Sequence, residues 1–254
     1  MRNPWLKGVS VFIVALIAIG VNVLGYMRTK ESQEAQRIEQ AVNTINSQQK
    51  QLEIVRSAIE EAYVDETQDL LQPTLTVTQV TTIENQLERL KVSAADFSLS
   101  ASDLPSNAEN LSQEKTELQA QLQLIREKID VQTSLTNLFT NETINLEVAT
   151  NDVVIRQDVT LDEINKIRDA VTDLPGEQWA TLMNEYLDYA EAQFSRAKAL
   201  TKSFDEMLQD GIVTEAATYE RYLSAVDSVA QVRNPELKEQ FQTQLSQISE
   251  QMGY

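Results

Sequence analysis

The sequence predicts a mainly α-helical protein: an N-terminal transmembrane helix, then an elongated array of two or three small helical bundles sharing long helices. Three observations carry this. Gly8 to Met27 form 20 consecutive uncharged positions. Beyond them, apolar residues recur at three-, four- and seven-residue steps, the period of one helix face. Six glycines and five prolines in 254 residues leave few breaks in those patterns.

The run GVSVFIVALIAIGVNVLGYM spans about 30 Å as a helix, the thickness of a bilayer's hydrocarbon core. Trp5 and Tyr26 stand near its ends, where amphipathic rings favour the interface. Ala18 and Gly20 form the small-x-small pair of a cleavable leader, but the run continues through Val21, Val23 and Leu24, longer than a secretory core. The reading is a bilayer anchor over 8–27, preceded by a short tail, 1–7. Asn22 inside the span could hydrogen-bond a partner helix, although one polar residue near a membrane face usually has no such role.

Arg2 and Lys7 before the span nearly balance Arg28, Lys30 and Arg37 after it, so the positive-inside rule gives no orientation. The chain holds 39 acidic and 21 basic residues. All the carboxylates lie after residue 30, so from Glu31 onward 39 acids face 17 bases, a net of −22. Such a surface repels nucleic acid and anionic headgroups, which excludes nucleic-acid binding. The expected place for this acidic body is outside the cell.

Residues 28–62 read as a stalk helix: Ile38, Val42, Ile45, Leu52, Val55 and Ile59 form one stripe. Gln49 interrupts a coiled-coil seam, which favours packing against later helices of the same chain. A helical extracellular domain, 63–252, follows. Val80, Ile83, Leu87 and Leu90 mark a short helix. Six serines between Ser93 and Ser112, with Pro105, suggest a flexible insertion near 93–112. Leu118, Leu122, Ile125, Ile129, Leu135 and Phe139 define a long helix. Alternation at Ile144, Leu146 and Val148, then Val153 to Ile155, fits either a small β-hairpin or a packed irregular loop.

Asp158-Val159-Thr160 starts the next helix, which carries Leu161, Ile164, Ile167, Val171 and Leu174, with Asp162 and Glu163 favourable to its N-terminal dipole. Pro175 stops it and enters the first turn of the following one. There Trp179, Met183, Tyr186, Ala190, Phe194, Ala197, Phe204 and Leu208 share a face, and Gly211 is expected as the C′ residue. Tyr219, Tyr222, Leu223, Val226 and Val229 form another helix, ending at Asn234-Pro235. Leu237, Phe241, Leu245, Ile248 and Met252 form the last.

Three segments echo one another: LTVTQVTTIENQLERL from Leu75, VTLDEINKIRDAV from Val159, and VTEAATYERYLSAVDSV from Val213. Each has an apolar-Thr start, then a short amphipathic helix, after the end of a long one. No such unit buries its apolar face alone, so neighbours must stack. The run from Leu138 to Val171, LFTNETINLEVATNDVVIRQDVTLDEINKIRDAV, resembles the first extracellular domain of the mid-cell-anchored protein Z (MapZ) family, division-site markers of streptococci and their relatives. IEEAYVDET from Ile59 and VTEAATYERY from Val213 are similar to flanking copies of that unit. The resemblance implies an extracellular helical pedestal. In that family a cytoplasmic region contacts the tubulin-like protein FtsZ, and a Ser-rich linker and wall-associated terminal domain follow the pedestal. Neither the FtsZ-binding region nor the terminal domain has a counterpart in these 254 residues.

Without histidine or cysteine there is no Ser-His-Asp triad, thiolate nucleophile, disulfide or ordinary zinc site. Glycines too few and scattered exclude a phosphate-cradling loop after the anchor. Neighbouring carboxylates such as Glu60/Glu61, Asp162/Glu163 and Asp205/Glu206 arise by number, and no calcium-loop spacing is present. The S-x-x-K matches at Ser112–Lys115 and Ser195–Lys198 lack their companion motifs; Ser112 reads as a helix cap and Ser195 as mid-helix. No catalytic residue, cofactor or metal is assigned, and the chain is expected not to be an enzyme. Trp179, Tyr186, Tyr189, Tyr219 and Tyr222 are the candidate interaction patch, for glycan or protein, against a competing role in the core. The expected partners are the bilayer and an unidentified protein or cell-wall component. The competing function is an extracytoplasmic adaptor or sensor of a secretion or envelope-stress system.

Overall fold

A computed structural model describes residues 33–253, and the described chain is mainly helical. The anchor expected at 8–27 lies outside these residues, as do Trp5, Tyr26 and the tail. Among the described residues no helix is long and apolar enough to cross a membrane. Helix α1 covers 33–60, followed by α2 (Val77–Glu88), α3 (Ala94–Phe97), a 3-10 turn (Ala101–Asp103) and α4 (Ala108–Thr136). Then come α5 (Leu161–Asp173), α6 (Glu177–Met207), β1 (Leu208–Gln209), β2 (Ile212–Val213), α7 (Tyr219–Ala230) and α8 (Pro235–Met252).

The chain divides into two compact units. The first takes the described part of Met1–Ser57 together with Ile83–Ala120. In it α1 buries Ala41, Ile45, Leu52 and Val55, so this stripe is covered by the protein's own chain, as the interrupted seam predicts. Ala108, Leu111 and Leu118 bring the matching face of α4. Arg56 pairs with Glu114. The Lys115 ammonium donates to the carbonyl oxygens of Glu88 and Leu90, which the end of α2 leaves without N–H partners.

The Ser-rich stretch forms two short helical turns of its own. Ser93 and Asp96 make a capping box on α3, and Ser100 with Asp103 repeats it on the 3-10 turn. Burial raises the Asp96 carboxyl, but N–H groups of Ser93 and Val92, the Ser93 hydroxyl and the Lys115 charge outweigh it and hold the group below the usual carboxylate range. Because α4 already begins at Ala108, Ser112 is inside the helix rather than its cap, and its carbonyl accepts the Thr116 hydroxyl.

The second unit comprises Ala58–Thr82 and Gln121–Tyr254. Helix α6, 31 residues and about 46 Å long, serves two apolar clusters in it. Trp179 to Ala190 pack with α5, the end of α4 and the following loop. Leu200 to Met207 pack with α7 and α8, where Phe204 stacks on Phe241 at 5.6 Å.

One local arrangement occurs three times. After each of α1, α4 and α6 the chain makes an antiparallel bridge: Tyr63 to Leu71, Phe139 to Ile155, Leu208 to Val213. The N–H of the next residue, Gln72, Arg156 or Thr214, donates to the carbonyl of Ala62, Leu138 or Met207, at 2.9 Å in every case. Four residues on stands the threonine that opens the short helix: Thr76, Thr160 and Thr218. Each hydroxyl accepts the N–H three residues ahead, from Gln79, Glu163 and Arg221. Behind the bridges, Val55/Ile59/Ala62, Val131/Leu135/Leu138 and Leu200/Phe204/Met207 are all buried. Ahead of them, the same register places Val80/Ile83/Leu87, Ile164/Ile167/Val171 and Tyr222/Ala225/Val229 on the inner faces of α2, α5 and α7.

This geometry corrects the expected register of the third echo. Thr218, not Thr214, corresponds to Thr76 and Thr160, and Val213 corresponds to Leu71 and Ile155. Thr214 folds into a turn instead, its hydroxyl donating to the Glu206 carbonyl at 2.7 Å. Pro175 also precedes the α6 cap, which is Gly176, rather than entering the first turn.

Of the two readings open for the alternating segment, hairpin or packed loop, the structure takes the loop, and a hairpin forms elsewhere. Residues 144–154 form an irregular loop, because side chains take the N–H groups a ladder would use. Asn145 Oδ1 accepts from Glu147 and Val148, and Asn141 Oδ1 from Val154. The hairpin forms at 208–213 around Asp210 and Gly211, whose φ values of +53° and +77° are those of a tight two-residue turn. Gly211 is therefore a hairpin residue and not the C′ residue of α6, which ends at Met207.

Candidate functional site

The polar centre of the second unit is built around Lys128. This α4 residue follows the apolar stripe Leu122–Ile125, and its side chain is 1% exposed. Its ammonium donates to the Asp69 carbonyl at 2.8 Å and lies 3.9 Å from Asp69 Oδ1. The rings of Trp179 and Tyr63 flank it, at 5.2 and 5.9 Å to their centroids. Burial pushes the Lys128 amine below its ordinary range, opposed by the Asp69 charge. Burial and the same charge push the Tyr63 phenol up.

Asp69 also supplies the cap that Gly176 lacks. Its two carboxylate oxygens accept the N–H groups of Gln178 and Trp179, at 2.8 and 3.1 Å. Gly176 is at φ +120°, and a Cβ there would stand 2.3 Å from Asp69 Oδ1 and 2.8 Å from Lys128 Nζ. Three separated pieces of chain thus meet at one packed cluster. Its chemistry is that of a structural tie: a paired charge in the core and a capped helix end.

Beside this tie, about two dozen residues between α4 and α5 run without regular structure apart from the Phe139–Ile155 bridge. They are held by side chains from later elements. The Tyr186 hydroxyl donates to the Asn145 carbonyl at 2.8 Å and accepts the Thr150 N–H at 3.2 Å. Gln193, on the same helix, bonds Val153 O and Ile155 N–H. Buried Asn234 donates to Ile155 O while capping α8, and Arg233 donates to Asn151 O and Val153 O. A loop of this length is thereby fixed to the helices at several points.

Between its outer part and the first turns of α6 lies a groove of about 510 Å³. Leu70, Leu182, Ala149 and Val148 supply its apolar wall, with Val148 64% exposed. Glu147, Glu177 and Glu185 supply carboxylates, and no lysine or arginine lines it.

The five candidate aromatic residues do not form one patch. Trp179 and Tyr186 are fully buried, and Tyr189, packed edge-on to Tyr186 at 6.1 Å, is half-buried on the same cluster. Tyr222 packs against the second cluster, and Tyr219 is 53% exposed at the start of α7. The helical spacing that relates them is the spacing of core positions. Asp69 and Lys128 are not singled out by sequence pattern, although a lysine on an apolar stripe is a signal. The corresponding positions before the other two bridges, Leu52 and Ala197, are apolar.

Among the described residues no group of acidic side chains is arranged to hold a metal ion. The carboxylate and ammonium of the tie bind backbone and one another, the buried Trp179 indole N–H has no hydrogen-bond partner among the described residues, and the free carboxylates line an open groove. Compared with known protein families, curated proteins and solved structures, the chain matches none.

Proposed function

We propose that this chain is a membrane-anchored extracellular structural and binding protein of a Gram-positive-type cell envelope. It acts as a MapZ-like pedestal linked to the division site or the cell wall. The observation that carries this is the order of parts: a 20-residue uncharged apolar run followed by an acidic, helix-rich body. Long shared helices support a spacer that holds a binding surface at a set distance from the bilayer, and an elongated arrangement of bundles belongs to the same reading. The chain works by position and contact rather than by bond chemistry.

Imaging a fluorescent fusion in growing cells tests the division link, with a mid-cell band expected and a uniform membrane signal counting against it. Protease shaving of intact cells tests the side on which the body lies. Capture of wall fragments supports the pedestal, whereas capture of membrane proteins alone favours an adaptor or sensor.

A further inference from the structure

The groove between the α4–α5 loop and α6 combines two features that point to one class of occupant. Glu177 and Glu185 stand eight residues apart on the same face of α6, about 12 Å along the axis. Glu147 faces them from the loop side of the groove. All three are exposed, and none makes an ion pair among the described residues. Between them the wall is apolar, and Val148 is held out at 64% exposure although the loop that carries it is tied down by Tyr186 and Asn145. An exposed valine on a fixed loop facing a row of carboxylates leaves apolar surface and negative charge uncovered together.

We infer that this groove docks a basic, apolar peptide segment of a partner protein, with arginine or lysine side chains at the ends of a short apolar stretch. The cationic heads meet Glu177, Glu185 and Glu147, and the apolar centre covers Val148, Ala149 and Leu70. Complementary charge sets the approach and the register, and apolar burial supplies the hold. The wider surface, with 39 acidic against 17 basic residues after residue 30, steers the same ligand inward. The inference rests on the binding role proposed above and names the chemistry of the partner.

The test uses the full chain in detergent micelles and a fluorescent synthetic peptide in which two arginines flank a leucine core. Anisotropy is expected to report saturable binding that weakens with added salt. The triple change Glu147→Gln, Glu177→Gln and Glu185→Gln should weaken it about tenfold, and Glu239→Gln with Glu250→Gln on α8 less than about twofold. Val148→Ser, at an exposed position, should weaken it without lowering the thermal midpoint. Equal losses from the two glutamate sets, equal binding of a glutamate-flanked peptide, or no binding would each overturn the proposal. So would glutamate-dependent self-association that excludes the peptide, because the occupant would then be a second copy. Failure of the division link would show in imaging while peptide binding stayed intact, so the two readings fail separately.

Discussion

The carboxylate of Asp69 occupies the space that a side chain on Gly176 would need: a Cβ there would stand 2.3 Å from Asp69 Oδ1. The same carboxylate caps α6 across 109 residues of sequence, through the N–H of Gln178. Helix α6 thus begins with no side chain of its own at the cap because another part of the chain fills that position.

Gly176→Ala is expected to destabilise the protein by about 2 kcal/mol or more, since it adds a left-handed strain to a steric conflict. Urea unfolding followed by circular dichroism measures the loss. In an Asp69→Ala background the added cost should shrink, because the conflict with the carboxylate is gone while the backbone strain and the approach to Lys128 Nζ at 2.8 Å remain. An equal cost in both backgrounds would show that the carboxylate is not in contact.

Asp69→Ala should cost about 3 kcal/mol, because it leaves the first turn of α6 uncapped and the buried Lys128 charge unpaired. Lys128→Met keeps the volume but leaves the Asp69 carbonyl without its donor and the carboxylate without its counter-charge, so a smaller loss of about 1–2 kcal/mol is expected. Chemical denaturation of both variants separates a paired charge that is needed from one that is merely tolerated.

Lys128 also makes stability depend on pH. Burial lowers its folded-state pKa, so between that value and the ordinary lysine range the unfolded chain binds more protons than the folded one. Stability from this group therefore rises as pH rises through that window. Tyr63, pushed up by burial and the Asp69 charge, acts the opposite way above the ordinary tyrosine range. The urea midpoint of wild type, measured against that of Lys128→Met on the alkaline side, isolates the lysine and should climb relative to the variant's as pH rises.

Each bridge-related threonine caps its helix alike, so Thr76→Ala, Thr160→Ala and Thr218→Ala should each cost about 1 kcal/mol. At Thr160 an acid dependence goes with the cap. The Thr160 N–H and hydroxyl donate to Glu163 and hold its carboxyl below the usual range. That stabilisation is present above the ordinary glutamate pKa and is lost as pH falls through the folded value. Thr160→Ala removes the hydroxyl and keeps the N–H, so it should make this acid limb shallower in a denaturation series, and Glu163→Gln should abolish it. A Thr214→Ala cost exceeding that of Thr218→Ala would restore the other register.

Tyr186→Phe removes one hydroxyl that pins the α4–α5 loop at Asn145 and Thr150. A loss of about 1–2 kcal/mol is expected. Hydrogen exchange should accelerate through residues 145–150 while α5 stays protected. Unchanged exchange at 145–150 would show that the Tyr186 hydroxyl does not hold this part of the loop.

The helices are legible in the sequence where one stripe repeats without interruption. Val80, Ile164 and Phe241 are expected in the core and are buried there, since a period of 3.6 leaves little choice of face. Boundaries are less legible where side chains compete with backbone. Asn141 and Asn145 turn an alternating segment into a loop, and the Asp210-Gly211 pair, a strong hairpin signal, lies next to a helix end that masks it. The third Thr cap is displaced in the same way, because an apolar-Thr pair at Val213-Thr214 imitates the true one.

By itself the sequence determined the helical class, the acidic body and the absence of histidine and cysteine chemistry, because composition and period act locally. Only tertiary structure decided that Asp69 caps α6, that Lys128 is buried between two rings, and that Glu147 comes to face Glu177 and Glu185. Those relationships join residues far apart along the chain, and the energy that selects them is set by which surfaces exclude water together. No local pattern records that choice.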